Sequence, residues 1–170
     1  KPLLSLQDLA GMRVRAPGGL GDALRIVGAI PTSVPTSEVY SAMERGMFDA
    51  VVQPHYSATA TRTHEIAQWF TTNLKMGILG VTMPVNKPAW DNLPPQYRKL
   101  LQDSVVEALN RQIGIYDKAQ DGAIEIMKKA RLKEVNMPDA DRTKLESMVA
   151  RPVWDKWVAD MTAQRYPAKE

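Results

Sequence analysis

The sequence predicts an α/β fold with a mainly parallel sheet, on three observations. Short apolar runs at 12–16, 30–34 and 47–53 alternate with helical segments at 22–27 and 38–45, and strands in that order need crossover helices between parallel neighbours. A glycine-rich turn, Pro17-Gly18-Gly19-Leu20-Gly21, leads from the first strand into the first helix. From 95 to 130, apolar and small residues recur every three or four positions, the period of one long helix.

The first strand lies in GMRVRAP, residues 11–17, where Arg13 and Arg15 share one face and Met12, Val14 and Ala16 the other, because alternate residues of a strand point to the same side. Gly28 stops the helix at 22–27. Pro35-Thr36-Ser37 supplies cap chemistry for the helix at 38–45, with Val39, Ala42 and Met43 at core spacing and Gly46 just past its end. Pro54 ends the third strand. An amphipathic pattern predicts a short helix at 64–72, and the apolar stretch 74–86, broken by Gly77, Gly80 and Pro84, predicts a bent strand long enough to cross between two structural units. A short helix follows at 86–92. The helix at 95–130 carries Leu101, Val105, Ala108, Ile115, Ala119, Gly122, Ile126 and Ala130 on its apolar side, with Gln112 the one exception in the row, and would run about 50 Å at 1.5 Å per residue. A helix of that length needs something to lie on: a further portion of protein, a second copy of the chain forming a homodimer, or, if it bends, its own core. Residues 132–137 read as an edge strand, and a helical tail with Trp154 and Trp157 begins at Asp139. The expected division is an α/β ligand-binding lobe over 1–73, then a crossing strand, the long helix and a helical tail over 74–170.

Length and composition narrow the function classes. The 170 residues, 44% hydrophobic and 24% charged, suffice for one domain with a real core. No apolar run reaches the eighteen or so residues of a membrane span, and the opening KPLLSLQDLAG lacks the apolar core of a signal peptide. Without cysteine there is no disulfide or thiolate metal site. A net charge of +3 from 22 basic and 19 acidic residues, with basic positions scattered, argues against a nucleic-acid partner. His55 and His64 lack metal-ligand spacing, and no GxSxG or paired-carboxylate motif supplies catalytic apparatus, so neither a metal, nor a cofactor, nor an enzymatic activity is expected.

The candidate site lies where ligands collect in parallel sheets, beyond the carboxyl ends of the strands. Arg15 and Gln53 end the first and third strands there. An arginine in such a place requires an anion, because an unpaired buried charge costs several kcal/mol. Two readings are open: a structural partner such as Asp22, Glu38 or Asp49, or a ligand carboxylate held by two parallel hydrogen bonds. The GGLGD turn does not fit a nucleotide-binding loop. Tyr40, Tyr56 and Trp69 are either cleft walls or core.

Three stretches in order, SLQDLAGMRVRAPGG, PTSVPTSEVYSAMERGMFDAVVQP and VNKPAWDNLPPQYRKLLQDSVVEA, resemble the second half of the solute-binding proteins of TRAP (tripartite ATP-independent periplasmic) transporters, the DctP-like family. The resemblance covers nearly the whole chain and implies a periplasmic-binding-protein-like (type II) lobe, a long inter-lobe helix, C-terminal helices, and a first lobe not included in these residues. It implies a periplasmic receptor that closes by hinge motion on a small organic acid and delivers it to TRAP membrane transporter subunits. The arginine that meets the ligand carboxylate in the family falls on Arg15, while Arg13 takes a variable surface position. By the same resemblance Tyr40, Gln53, Pro54 and His55 join Arg15 as candidate ligand-binding residues. Ala50 stands where the family has glycine, and no acid precedes Gln53, so the bound carboxylate is not identified. A free-standing α/β interaction domain dimerising through 95–130, with Arg15 in a structural ion pair, is the alternative.

Overall fold

The computed structural model describes residues 2–77 and 82–166. Strand β1 (Arg13–Arg15) is central in a three-stranded parallel sheet, with β2 (Ile30–Thr32) on one side and β3 (Ala50–Val51) on the other. Arg15 stands opposite Thr32 and Val51, so the carboxyl ends of all three strands open together. The crossovers are α1 (Gly19–Ile26) and, after a 3-10 turn at Thr36–Glu38, α2 (Val39–Glu44).

The alternation read from the sequence places each face of this sheet on its own core. Met12, Val14 and Ala16 bury with Leu24 of α1 and with Leu3, Leu6 and Leu9 ahead of the sheet. This core also takes in Met137 and Leu145, so residues on both sides of position 73 share it. On the opposite face Val34, Val39, Ala42 and Phe48 form a second, smaller cluster. The tail helix α6 (Asp139–Ala163) lies against α1 and is tied to the chain start, where the Asp141 carboxylate accepts the Leu6 N–H at 2.9 Å.

The region after β3 departs from expectation. No helix spans 64–72; instead α3 (His55–Ala60) starts directly after Pro54, a 3-10 turn covers Thr63–Glu65, and β4 is Trp69–Phe70. Pro54 lacks an N–H and suits the position before a first turn, where no donor is required. Trp69 and Phe70 extend because they pair in parallel with β5 (Lys133–Glu134), within the edge strand expected at 132–137, a partner local periodicity does not reveal. The crossing strand expected at 74–86 lies partly outside the described residues; its described parts, 74–77 and 82–86, carry no regular structure.

Helix α4 (Lys87–Asn92) is capped by Asn86, whose side-chain oxygen accepts the Ala89 N–H at 3.0 Å. The long helix α5 (Pro95–Lys129) has 35 residues, about 52 Å at 1.5 Å per residue. Only its last turns are buried, with Ala123 and Met127 inside, where Met127 joins Ala58, Phe70 and Leu132 in a third cluster. Further up, Tyr116 stacks on Tyr56 of α3 with centroids 4.9 Å apart. Tyr97, Leu101, Val105, Leu109 and Ile113, nearer the start of α5, are exposed.

A candidate carboxylate site at the end of the central strand

The two arginines of β1 meet different fates although they share a face. Arg13 is clamped by Asp49: Nη2 donates to Oδ1 at 2.6 Å, Nε to Oδ2 at 3.1 Å, and the Arg13 backbone N–H to Oδ2 at 2.9 Å. Its Nη1 adds a bond to the Gly46 carbonyl at 2.8 Å, so the side chain pins the turn before β3 to β1. Hydrogen bonds from Arg13 hold the Asp49 carboxyl below its ordinary value.

Arg15 is 8% exposed and has no carboxylate partner among the described residues. Its Nε and Nη2 donate to the Val34 carbonyl at 3.1 and 2.9 Å, and Nη2 reaches the Thr36 hydroxyl at 3.4 Å. These bonds leave Nη1 without a described acceptor. Asp22 is engaged by Arg25 at 2.6 Å and lies 4.0 Å from Lys156, while Asp49 belongs to Arg13. Burial alone pushes the guanidinium below its ordinary value, with no acid to offset it. A guanidinium oriented by neutral oxygens and lacking a counter-charge is arranged to receive an anion, and its planar fork matches a carboxylate.

The other candidates are not all gathered on Arg15. Gln53 lies two residues past the strand pair Arg15–Val51, but its Nε2 donates to the Thr63 hydroxyl at 2.7 Å, and its Oε1 is buried with no hydrogen-bond partner among the described residues. Pro54 is exposed at the head of α3. His55 Nε2 meets the Thr71 carbonyl at 2.8 Å, Nδ1 meets Gln120, and the ring packs edge-on against Phe70. Its tautomer follows: Nε2 donates to Thr71, and Nδ1 accepts from the Gln120 amide. Tyr40 is half-buried on α2. Thr36, which sequence reasoning used only as a cap residue, comes to Arg15 because β2 delivers it to the same sheet end.

Comparison with known proteins gives the chain a family. The model of bacterial extracellular solute-binding protein family 7, DctP, matches residues 1–160. The C4-dicarboxylate-binding periplasmic protein DctP of Rhodobacter capsulatus is 28% identical over 169 residues, covering 98% of this chain and 50% of the relative. The 2,3-diketo-L-gulonate-binding periplasmic protein YiaO of Escherichia coli K12 is 27% identical, with 94% and 48% covered. The chain thus spans about half the length of the curated relatives it matches. Two solved structures share the fold, each with a TM-score of 0.82 and 22% identity. One is a TRAP periplasmic solute-binding protein from Desulfovibrio salexigens with bound orotic acid, with 96% of this chain and 53% of that one aligned. The other, from Shewanella oneidensis with bound succinate, aligns over 92% and 52%. The named relatives are solute-binding transport proteins. From its opening residues to position 160, the chain belongs to the DctP family of bacterial extracellular solute-binding proteins.

Proposed function

We propose that this chain is one lobe of a periplasmic TRAP-type receptor that captures a small organic carboxylate on Arg15 and passes it to membrane transporter subunits without chemical change. The observation that carries the reading is the buried Arg15, held by Val34 and Thr36 and matched by no described acid. Leaving that charge unpaired is costly, and a ligand carboxylate removes the deficit. The relatives support the ligand class, since a C4-dicarboxylate and a keto sugar acid appear in their names. The exposed apolar row of α5 is read as contact surface for the remainder of a family-length receptor. A homodimer through 95–130 has no support among the relatives and is not carried forward.

The test is calorimetric titration of a family-length protein containing these residues with succinate, malonate, 2-oxo acids, sugar acids and aromatic acids. One of these binds, Arg15→Ala lowers its affinity by about 100-fold or more, and Arg15→Lys recovers only part, lacking the planar fork. Unchanged affinity in Arg15→Ala would sink the reading.

A further inference from the structure

Arg15 offers a ligand only part of its guanidinium. Nε and Nη2, the pair along one edge, both donate to the Val34 carbonyl, at 3.1 and 2.9 Å, so backbone closes that edge. An acid must meet the other edge, formed by Nη1 and the second hydrogen of Nη2. That edge is open. Gln53 Oε1 is the one buried side-chain polar atom without a partner among the described residues, so Nη1, which has no described acceptor, reaches the outside.

Thr36 stands beside the same guanidinium. Its hydroxyl is 3.4 Å from Nη2, longer than the usual N–H···O distance of about 2.7–3.2 Å, so the contact is loose. The hydroxyl has no other described partner. Neither the 3-10 turn at Thr36–Glu38 nor α2 after it is capped by a side chain, so the cap chemistry expected of Pro35-Thr36-Ser37 does not occupy it. Pro35 fixes the entry to the turn at φ −53°, and its carbonyl accepts the Glu38 N–H at 2.9 Å, which sets Thr36 exposed at the sheet end. Because Thr36 Oγ1 only accepts from Nη2, its own hydrogen is free to donate.

The donor count then selects the ligand. Nη1, Nη2 and the Thr36 hydroxyl present hydrogens side by side, and no described acid is bound to any of them. A carboxylate answers the two η nitrogens with its two oxygens. The hydroxyl is left over unless the acid carries a further oxygen close by. An oxygen on C2, the carbon next to the carboxylate, flanks the carboxylate as Thr36 flanks Nη2.

We infer that Thr36 is a specificity-determining residue of the Arg15 site: its hydroxyl donates to an oxygen on C2 of the ligand, so the site takes 2-oxo and 2-hydroxy acids ahead of acids with a bare C2. This rests on the reading of Arg15 as a carboxylate receptor and narrows its ligand class. Arg13 shares the face but is spent on Asp49 and takes no part.

Calorimetric titration of a family-length protein containing these residues tests this with matched acids: pyruvate and lactate against propionate, 2-oxoglutarate and 2-hydroxyglutarate against glutarate. In the set that the protein accepts, the 2-oxygenated acids should bind about 10-fold or more tightly than the bare one. Thr36→Val keeps the branched shape without the donor and should bring that ratio to about one, whereas Thr36→Ser should retain most of it. Thr36 is exposed, so both variants should fold, which Tm without ligand verifies. Equal affinities within each set overturn the inference, as does benzoate or malonate binding more tightly than every 2-oxygenated acid. A ratio that Thr36→Val leaves unchanged, even if all affinities fall, also overturns it, because Thr36 would then only steady Arg15. These results leave the carboxylate reading standing, since that reading fails on Arg15→Ala and this one on a ratio measured with Arg15 in place. Binding of no acid at all overturns both.

Discussion

Arg15 carries its charge where two carbonyl bonds and a hydroxyl orient it but no described acid neutralises it. Replacing it with an apolar side chain of similar length therefore trades binding for stability. Arg15→Met should leave the unliganded protein as stable as before or about 1 kcal/mol more stable in urea denaturation, while abolishing the ligand-induced rise in Tm. Arg13 behaves oppositely, because its worth lies in the Asp49 clamp. The folded Asp49 carboxyl sits below its ordinary value, so its stabilisation is present above the usual aspartate pKa of about 4 and is lost as pH falls through the lower folded value. Asp49→Asn should lower Tm at pH 7, and the difference should shrink steadily below about pH 4; a constant difference down to pH 2 would contradict the clamp. That Arg13 and Arg15 share a face was legible from their spacing. Which one is paired was not, because Asp49 arrives through the packing of β3 and the Val34 carbonyl through that of β2.

At the level of elements, α5 divides into a packed end and a bare one. Met127 is buried with Phe70, Ala58 and Leu132, so Met127→Ala should cost about 2–4 kcal/mol by chemical denaturation. Leu101, 48% exposed, should behave differently: Leu101→Ser in residues 1–170 alone should change stability by less than about 0.5 kcal/mol in the same denaturation. The helix itself was readable in the sequence to within a residue at its end, since thirty-odd residues of apolar recurrence outweigh local ambiguity. The short pieces were not. Residues 64–72 show helical spacing, yet Trp69 and Phe70 are drawn into a strand by Lys133 and Glu134, more than sixty positions later. The helix at His55–Ala60 had one local cue, Pro54 at its head, which was read only as the end of a strand.

For the whole molecule, the proposed reading puts the ligand entrance beyond the carboxyl ends of the parallel strands and makes these residues one of its walls. Residues 1–170 alone should bind any acid found for the family-length protein at least about 100-fold more weakly by titration, since contacts from a second wall and their ordering are absent. Equal affinity would mean that the single lobe forms a complete site.

By itself the sequence determined the β1-α1-β2-α2-β3 order, the long helix and the arginine at the end of the first strand, because periodicity, glycine turns and proline stops act over a few residues. Only the tertiary structure decided that no described acid meets Arg15, that its strand is central, that Trp69 and Phe70 form a strand, and that β3 and β4 flank one cavity. These depend on which distant segments meet, and backbone and charge are satisfied by whatever packing brings near.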